Sequence, residues 1–341
     1  MTGNPYDLVI LKPGDSLDDW DKFVDESPQG SLTCRSWWLK TVCPANFQIL
    51  TVVKSGKIIA GMPISISLMW RHSIISMPPF TQTLGILFAP SQKRTYEARL
   101  SDEMKLMDFI IQNIPHFDYF SINFHQNFNN WLPFYWERYR QTTRYTYMIP
   151  DISDLNKLLE NMSQTGRNVI KKASNRYSIT ITESNDVRTL LRLNDKTFTR
   201  QGIKVPFSEE VVTQIYKESS ARNAGKIFLA KDPENNVHSA IFFVYDSKST
   251  YGLISGGDPK FRESGANALN IWHSIEYANK VTASYNFGGS MIKNIELFMR
   301  SFGAVQTPYY NISKDNRRLP LRMNYLLYAM DDRIKRSIRK K

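Results

Sequence analysis

A short glycine-containing segment in the second half of the chain has the composition of a phosphate-binding loop. Residues 262–268 read Arg-Glu-Ser-Gly-Ala-Asn-Ala and lie between a predicted strand and a predicted helix. The start of a helix offers unpaired N–H groups and partial positive charge, and a small residue lets a pyrophosphate approach the backbone. Glycine before a helix is also common in simple turns, so both interpretations stay open. The predicted cofactor-binding residues here are Arg262, Gly265, Ala266 and Asn267.

A second glycine-containing motif follows the next predicted strand. Residues 286–290 read Asn-Phe-Gly-Gly-Ser. The two glycines permit unusual backbone angles, and the serine can cap a helix that runs to Phe302. Lys293 and Arg300 lie seven residues apart in that helix, so both can project from one face towards a phosphate or an oxyanion. A solvated surface is the more common position for such cations.

Positive charge is concentrated in the second half. The net charge is +12, and the first 150 residues contain 14 basic and 13 acidic residues, whereas the rest contain 30 and 19. Arg167, Lys171 and Ser174 share one face of a predicted basic helix, which suits a phosphate. Another basic cluster occupies residues 333–341. This asymmetry predicts a polyanionic partner, such as a phosphate-rich cofactor, nucleic acid or an anionic membrane, and a solvated basic face is the alternative.

Aromatic residues are dense around the middle of the chain. Residues 117–147 contain 12 aromatic side chains in 31 positions. Packing in a core or between domains is the favoured explanation, because aromatic side chains bury large areas. The alternative is a groove wall that stacks on sugar or nucleobase rings.

Composition and motif content exclude several classes of protein. Cys34 and Cys43 are the only cysteines, too few for a disulfide framework in a chain of 341 residues. The five histidines lack metal-ligand spacing, and the chain has no Walker A, G-x-S-x-G or C-x-x-C motif. The longest uncharged stretch, residues 73–92, is interrupted by three prolines. We therefore expect no metal, no transmembrane segment and, without a signal peptide, a cytoplasmic protein.

The order of the predicted elements repeats between the two halves. In the first half, the runs 49–53 and 58–68 predict a hairpin. A strand, then a helix capped by Ser101, then another strand are predicted after it. In the second half, a helix capped by Ser153 that continues through the basic segment precedes the same order of hairpin, strand, helix and strand. The sequence therefore predicts an α/β (α+β) protein made of two copies of one unit.

Six segments taken together resemble FemABX-type and related GNAT-like acyltransferases; they are residues 31–39, 77–85, 167–173, 251–268, 286–290 and 298–303. The resemblance covers nearly the whole chain. It implies two tandem GNAT-like domains with mixed sheets flanked by helices. The expected limits are 1–150 for the first domain and 151–311 for the second, with residues 312–341 packing back on the first.

The resemblance also implies an activity, which is transfer of an acyl or aminoacyl group to an amine of a sugar, peptide or cell-envelope precursor. The implied donor is acyl-coenzyme A, with aminoacyl-tRNA as the alternative. A second alternative is a catalytically degenerate binding protein. The basic C-terminal residues are a further expected point of contact with a membrane surface, and no oligomeric state is predicted.

The residues expected to be catalytic are Arg300, Tyr251 and Asn286. The resemblance implies a cation near the reacting carbonyl at the position of Arg300, and Tyr251 is a candidate proton donor for the leaving group. Asn286 stands where the family usually has aspartate, and an amide cannot act as a base at neutral pH. Asn267 stands where the phosphate loop prefers glycine or alanine. These two departures are what the binding-protein alternative depends on.

Overall fold

The computed structural model describes residues 5–289, 291 and 293–317. The described chain divides into two compact units, residues 5–144 with 308–317, and residues 145–307. None of the helices within these residues is long and apolar enough to cross a membrane. Ser290, the predicted cap, and residues 318–341, with the basic segment expected to contact a membrane, lie outside the described residues.

Helices and strands are interspersed along the described chain. In chain order they are β1 (Asp7–Leu11), α1 (Asp18–Glu26), α2 (Ser36–Val42), β2 (Phe47–Lys54), β3 (Lys57–Met69), β4 (His72–Ser76), β5 (Leu87–Phe88), α3 (Tyr96–Gln112), β6 (Tyr119–Asn123), α4 (Leu132–Trp136), β7 (Arg140–Ile149), α5 (Leu155–Asn161), α6 (Gln164–Asn175), β8 (Thr180–Ser184), α7 (Val187–Arg200), α8 (Glu209–Ala221), β9 (Gly225–Lys231), β10 (Val237–Tyr245), β11 (Ser249–Gly257), α9 (Ala266–Ala278), β12 (Ser284–Gly289), α10 (Lys293–Arg300) and β13 (Val305–Asp315). The chain is a mixed α/β protein.

The first unit is organised around a mixed sheet in the order β1-β2-β3-β4-β6-β13. The strands β1 to β4 pair antiparallel, with short turns between β2 and β3 and between β3 and β4, and with α1 and α2 between β1 and β2. The strands β4 and β6 pair parallel over three residues, and α3 forms the connection between them. The order is therefore hairpin, strand, helix and strand, as the sequence predicts.

The second unit repeats this plan with a sheet in the order β7-β12-β11-β10-β9-β8. The strands β8 to β11 pair antiparallel, β11 and β12 pair parallel, and α9 connects that parallel pair. The apolar face of α9 packs on the sheet, with Ile275 and Trp272 in one core with Phe243 and Tyr285. The duplicated α/β architecture expected from the sequence is confirmed.

Two helix predictions need correction. The helix α3 begins at Tyr96, not after Ser101, because the hydroxyl of Thr95 accepts a hydrogen bond from the N–H of Ala98 and caps it. The single helix expected from Ser153 onward is two helices, α5 and α6. The break falls at Met162, whose ψ of 150° is not helical, and the Ser163 hydroxyl caps α6 by accepting from Gly166.

Candidate functional site

The parallel strands β11 and β12 separate soon after they meet. They pair through Ser249 with Ser284, Thr250 with Tyr285, and Tyr251 with Asn286. Beyond these three pairs, β11 continues alongside β10 as far as Gly257, and β12 continues to Gly289, opposite Thr146 of β7. The sheet is thus opened along one edge of β11, where backbone groups are available to a bound molecule.

The structure brings two predicted catalytic residues together at the point of separation. Tyr251 and Asn286 are register partners in the last pair before the strands diverge, and both are buried. The Asn286 Oδ1 atom accepts hydrogen bonds from the Thr146 hydroxyl at 2.7 Å and from the Gly288 N–H at 2.9 Å. Gly288 has a φ of 79°, a conformation that favours glycine. Asn286 therefore holds the backbone turn that directs β12 away from β11.

The segment that connects β11 to α9 is fixed at its start by Asp258. The carboxylate of Asp258 accepts from the backbone N–H of Lys260 and from the Lys196 ammonium, whose nitrogen lies 2.5 Å away. The hydrogen bond from Lys196, followed by that from Lys260, lowers the pKa of Asp258 below its usual value. At neutral pH this side chain is an anion that anchors the loop leading to α9.

At the start of α9, Gly265 is required by packing as well as by backbone conformation. Its φ is 75°, and a Cβ atom there would lie 2.8 Å from Val169 Cγ1 and 2.9 Å from the Val169 carbonyl oxygen. The neighbouring Ser264 hydroxyl accepts from the N–H of Ala266, which satisfies one of the first amides of the helix. The helix α6 thus covers part of the predicted phosphate loop. Arg262, before this glycine, is exposed to solvent.

Asn267, in the first turn of α9, carries an unsatisfied acceptor. Its Oδ1 atom is buried and receives no hydrogen bond from any described residue. The same holds for the Oδ1 atom of Asn270, whose Nδ2 donates to the Phe228 carbonyl and to Ser239. The great majority of buried polar atoms in proteins have a hydrogen-bond partner, so an acceptor of this kind suits an N–H or O–H group of a bound molecule.

Arg167 and Lys171, predicted to bind phosphate, have different surroundings. The Arg167 Nη1 atom donates to the carbonyls of Leu159, Glu160 and Met162 at 3.0, 2.9 and 2.5 Å. Leu159 and Glu160 lie in the last turn of α5 and Met162 directly follows it, so the guanidinium closes the end of that helix. Lys171 is exposed. Phosphate binding by Arg167 stays a prediction that would require these hydrogen bonds to be exchanged.

Arg300 lies at the last position of α10 and is largely open to solvent. Its side chain is 60% exposed, and its Nε atom lies 2.8 Å from Glu296 Oε1. The next carbonyl, that of Ser301, accepts from the N–H of Ser163 at the start of α6. The same face of α6 presents Gly166 to Ser301 and Val169 to Gly265. The helix α6 therefore contacts both the end of α10 and the start of α9.

A pocket of about 510 Å³ adjoins this region and was not predicted from the sequence. On its wall, the His238 Nδ1 atom lies 3.0 Å from Ser264 Oγ, and the Nε2 atom lies 3.1 Å from Asp232 Oδ2. The Phe261 ring stacks on the imidazole with 4.0 Å between centroids. Asp232 and His238 flank the turn between β9 and β10. The predicted hairpin is therefore the one sequence feature that brings these two side chains near each other. Among the described residues no cluster of His, Cys, Asp and Glu could hold a metal ion.

The described geometry agrees with comparisons to known proteins. Residues 160–291 match the family described as "Acetyltransferase (GNAT) domain". The crystal structure of FemX superposes with a TM-score of 0.66 at 13% identity, covering 89% of this chain and 96% of that one. A tandem GNAT protein from the clavulanic acid biosynthesis pathway has a TM-score of 0.54 at 8% identity, covering 92% and 99%.

A third similar structure is the C-terminal domain of a putative lysylphosphatidylglycerol synthetase from Agrobacterium fabrum. Its TM-score is 0.53 at 10% identity, and the match covers 88% of this chain and 91% of that one. No curated protein matches the chain by sequence. The structural similarities establish the tandem GNAT-like fold, and the family match places a GNAT acyltransferase domain in the second unit.

Proposed function

We propose that this chain, whose second unit carries a GNAT acyltransferase domain, transfers an acyl or aminoacyl group from an activated donor to an amine. The observation that carries the proposal is the parting of β11 and β12 after three residue pairs, inside the segment that matches the family. An opened sheet edge lets an extended donor lie along β11 with its carbonyl near the point of separation. Holding donor and amine together in this gap supplies most of the rate enhancement for such a transfer.

The proposed reaction is a nucleophilic acyl substitution. The amine nitrogen attacks the carbonyl carbon of a thioester or ester, a C–N bond forms, and a tetrahedral intermediate carries negative charge on oxygen. The attacking nitrogen loses one proton to water or to another group of the substrate, the bond from carbon to sulfur or oxygen breaks, and the leaving group takes up a proton. In this scheme Arg300 stabilises the oxyanion, and Tyr251, beside Asn286 at the point of separation, protonates the leaving group.

Acyl-coenzyme A is the first candidate donor, because the matched family is one of acetyltransferases. Its pyrophosphate would lie against the start of α9, near Arg262 and Ala266, with Lys171 on the neighbouring helix. The unsatisfied Oδ1 atom of Asn267 would accept a hydrogen bond from the donor. These assignments require a phosphate to approach beside Val169, which packs on Gly265.

Aminoacyl-tRNA is the second candidate donor, and the packing of α6 on the predicted phosphate loop favours it. A tRNA donor delivers its ester through a terminal ribose and needs no pyrophosphate at the helix start. The excess of basic residues in the second half suits a polyanion of this size. The fold is shared with a protein named as a putative lysylphosphatidylglycerol synthetase, and that name is of an aminoacylated phospholipid, which supports a cell-envelope precursor as the proposed acceptor.

The two donors are distinguished by a binding screen followed by turnover. The full chain is heated with acetyl-, succinyl- and longer acyl-coenzyme A species, and separately with aminoacylated tRNA at several salt concentrations. A ligand present at about 100 times its Kd stabilises the folded state by about 2.7 kcal/mol, which raises the Tm by roughly 5–10 °C for a unit of this size. A donor that raises the Tm is then mixed with candidate amines, and the amide product is measured by mass spectrometry.

The outcome of the screen distinguishes transfer from acyl-coenzyme A, transfer from aminoacyl-tRNA, and a binding protein without catalysis. A shift with acyl-coenzyme A that depends weakly on salt supports the first donor. A shift with tRNA that falls steeply with salt supports the second, because counterions are released when many phosphates bind. A donor that raises the Tm but gives no product with any of the amines contradicts acyl transfer and leaves a binding protein with the acyltransferase fold.

Arg300→Ala is expected to lower kcat about tenfold with the donor that passes this screen. A buried oxyanion donor is worth on the order of 10²–10³ in kcat, and the effect here is smaller because the guanidinium is 60% exposed and partly neutralised by Glu296. Arg222→Ala is the matched control, since Arg222 also pairs with a glutamate one helical turn away, at Glu218 on α8. An unchanged kcat in the Arg300 variant contradicts the assigned role.

A further inference from the structure

Part of the β11 edge beyond the point of separation is already occupied. The N–H of Asp258, whose backbone is extended like that of the strand, donates to the carbonyl of His238 on β10 at 2.9 Å. In an antiparallel pair, successive residues direct their backbone groups to alternate edges of the strand. The N–H and carbonyl groups of Gly257 and Ser255 therefore point away from β10, to the edge that β12 has left.

Two side chains of α7 bind these backbone groups. The Thr197 hydroxyl accepts from the N–H of Gly257 at 3.1 Å and donates to the Leu193 carbonyl, one turn earlier in α7, at 3.0 Å. The Asn194 Nδ2 atom donates to the Ser255 carbonyl at 2.9 Å. Because a backbone N–H has one proton to donate, that of Gly257 is used by Thr197. Asn194 and Thr197 are called the edge cap below.

The edge cap is held in place by the close packing of α7 on β11. Gly256 lies between the two capped strand residues, and a Cβ atom there would lie 2.4 Å from the backbone nitrogen of Asn194. Asn194 itself is only 5% exposed. Beyond the cap, the Lys196 ammonium lies 2.5 Å from the Asp258 carboxylate. The helix backbone and three of its side chains thus fix the cap against residues 255–258.

We propose that Asn194 and Thr197 determine donor specificity, by excluding donors whose acyl group is carried on a long amide-containing arm. This inference rests on the proposed function, in which the donor carbonyl lies near Tyr251 at the point of separation. In acyl-coenzyme A, an arm with two amide groups joins the acyl sulfur to the pyrophosphate. With the pyrophosphate at the start of α9, that arm must pass the edge cap, because β11 reaches the loop before α9 through Gly257.

The edge cap takes the hydrogen bonds that such an arm needs. An extended chain of amides binds a free sheet edge by pairing with the outward N–H and carbonyl groups of the strand. Here the Gly257 N–H donates to Thr197, and the Ser255 carbonyl accepts from Asn194. An amide of the arm that is taken out of water beside the cap is left without these partners, and an unpaired buried amide lowers affinity.

A donor with a short link between its acyl group and a polyanion avoids the edge cap. In an aminoacyl ester one oxygen joins the carbonyl to a ribose, so the donor needs only the part of β11 between Tyr251 and Ser255. Four steps along a strand span at most about 13 Å. An extended aminoacyl group requires only about 3.5 Å per residue, so it fits within this part of the edge. The edge cap therefore selects an aminoacyl ester over a coenzyme A thioester.

The test is binding of coenzyme A to the full chain, measured by isothermal titration calorimetry. The double variant Asn194→Ala/Thr197→Ala frees both capped backbone groups. We expect it to bind coenzyme A about tenfold more tightly than the wild type, because two hydrogen bonds to the arm become available. Asn194→Ala also removes a buried Oδ1 atom that receives no hydrogen bond from any described residue, which limits the loss of stability. If the double variant does not fold, Thr197→Ala alone is tested, with about threefold tighter binding expected.

Two matched controls leave the edge capped. Thr197→Ser keeps the hydroxyl, and we expect it to bind coenzyme A as the wild type does. Thr213→Ala removes a hydroxyl of α8 that donates to the Glu209 carbonyl one turn earlier, and we expect the same of it. Equal affinity of the wild type and the uncapped variants, or binding by none of them, overturns the proposal. Calorimetry requires no turnover, so this result is independent of the search for an amide product, which decides the proposed function.

Discussion

Gly256→Ala is expected to destabilise the second unit by about 3 kcal/mol, because an added methyl group has no space between β11 and α7. A Cβ atom at this position would lie 2.4 Å from the backbone nitrogen of Asn194 and 2.5 Å from the carbonyl carbon of Leu193. These are backbone atoms of α7, so no side-chain rotation relieves the overlap. The strand and helix must separate, and Asn194 then loses its hydrogen bond to the Ser255 carbonyl.

The adjacent glycine provides a matched control for this prediction. A Cβ atom at Gly257 would meet only the His238 carbonyl oxygen, at the ordinary distance of 3.5 Å. We therefore expect Gly257→Ala to unfold within about 0.5 kcal/mol of the wild type, as substitutions away from tight contacts do. The measurement is urea unfolding followed by circular dichroism. Equal stability of the two variants would show that α7 does not fix the position of β11.

The consequence for function follows from the place of β11 in the site. Its last residues lead through Asp258 into the loop before α9, and its first residues form the short parallel pair with β12. A displaced β11 moves both the point of separation and the helix start. We infer that the packing of α7 on a glycine maintains the geometry of the proposed donor site from the opposite side of the sheet.

Much of the duplicated plan could be predicted because it depends on local patterns. The strands β2, β3 and β10 are continuous apolar or alternating runs, and α9 has apolar residues at helical spacing, so periodicity identified them. The helices α7 and α8 were not predicted. Only a few residues of each are buried, and polar residues occupy most of their length. A helix that is buried only along a narrow stripe has few apolar residues, so its sequence gives little indication that it is helical.

The site was predictable in its position along the chain and less so in its contacts. The two glycine-containing motifs do border the parallel pair, because a strand that leads into a helix has a sequence signature. The sequence did not predict the close approach of Val169, which excludes a side chain at Gly265. The contact of His238 with Ser264 joins a hairpin to a distant loop, and no local pattern encodes such a pairing.

Asn286→Ala is expected to destabilise the second unit by about 2–4 kcal/mol. The substitution removes the oxygen that accepts from the buried Thr146 hydroxyl and from the half-buried Gly288 N–H, at the point where β12 turns away from β11. Loss of a hydrogen-bond partner by a buried polar group costs about 1–3 kcal/mol. The free energy of unfolding is measured in urea, and kcat is measured on the fraction that remains folded.

Thr146→Val separates the two hydrogen bonds, because valine keeps the shape of threonine and removes its donor. We expect this variant to lose about 1 kcal/mol, since the Asn286 oxygen keeps the bond from Gly288. The double variant should then lose about 1 kcal/mol less than the sum of the two single losses, and this difference is the coupling energy of two groups in contact. Additive losses would contradict the shared hydrogen bond. If kcat per folded molecule falls in Asn286→Ala and is unchanged in Thr146→Val, the amide acts on the reacting groups. If both variants keep the wild-type kcat, Asn286 serves only to hold the turn.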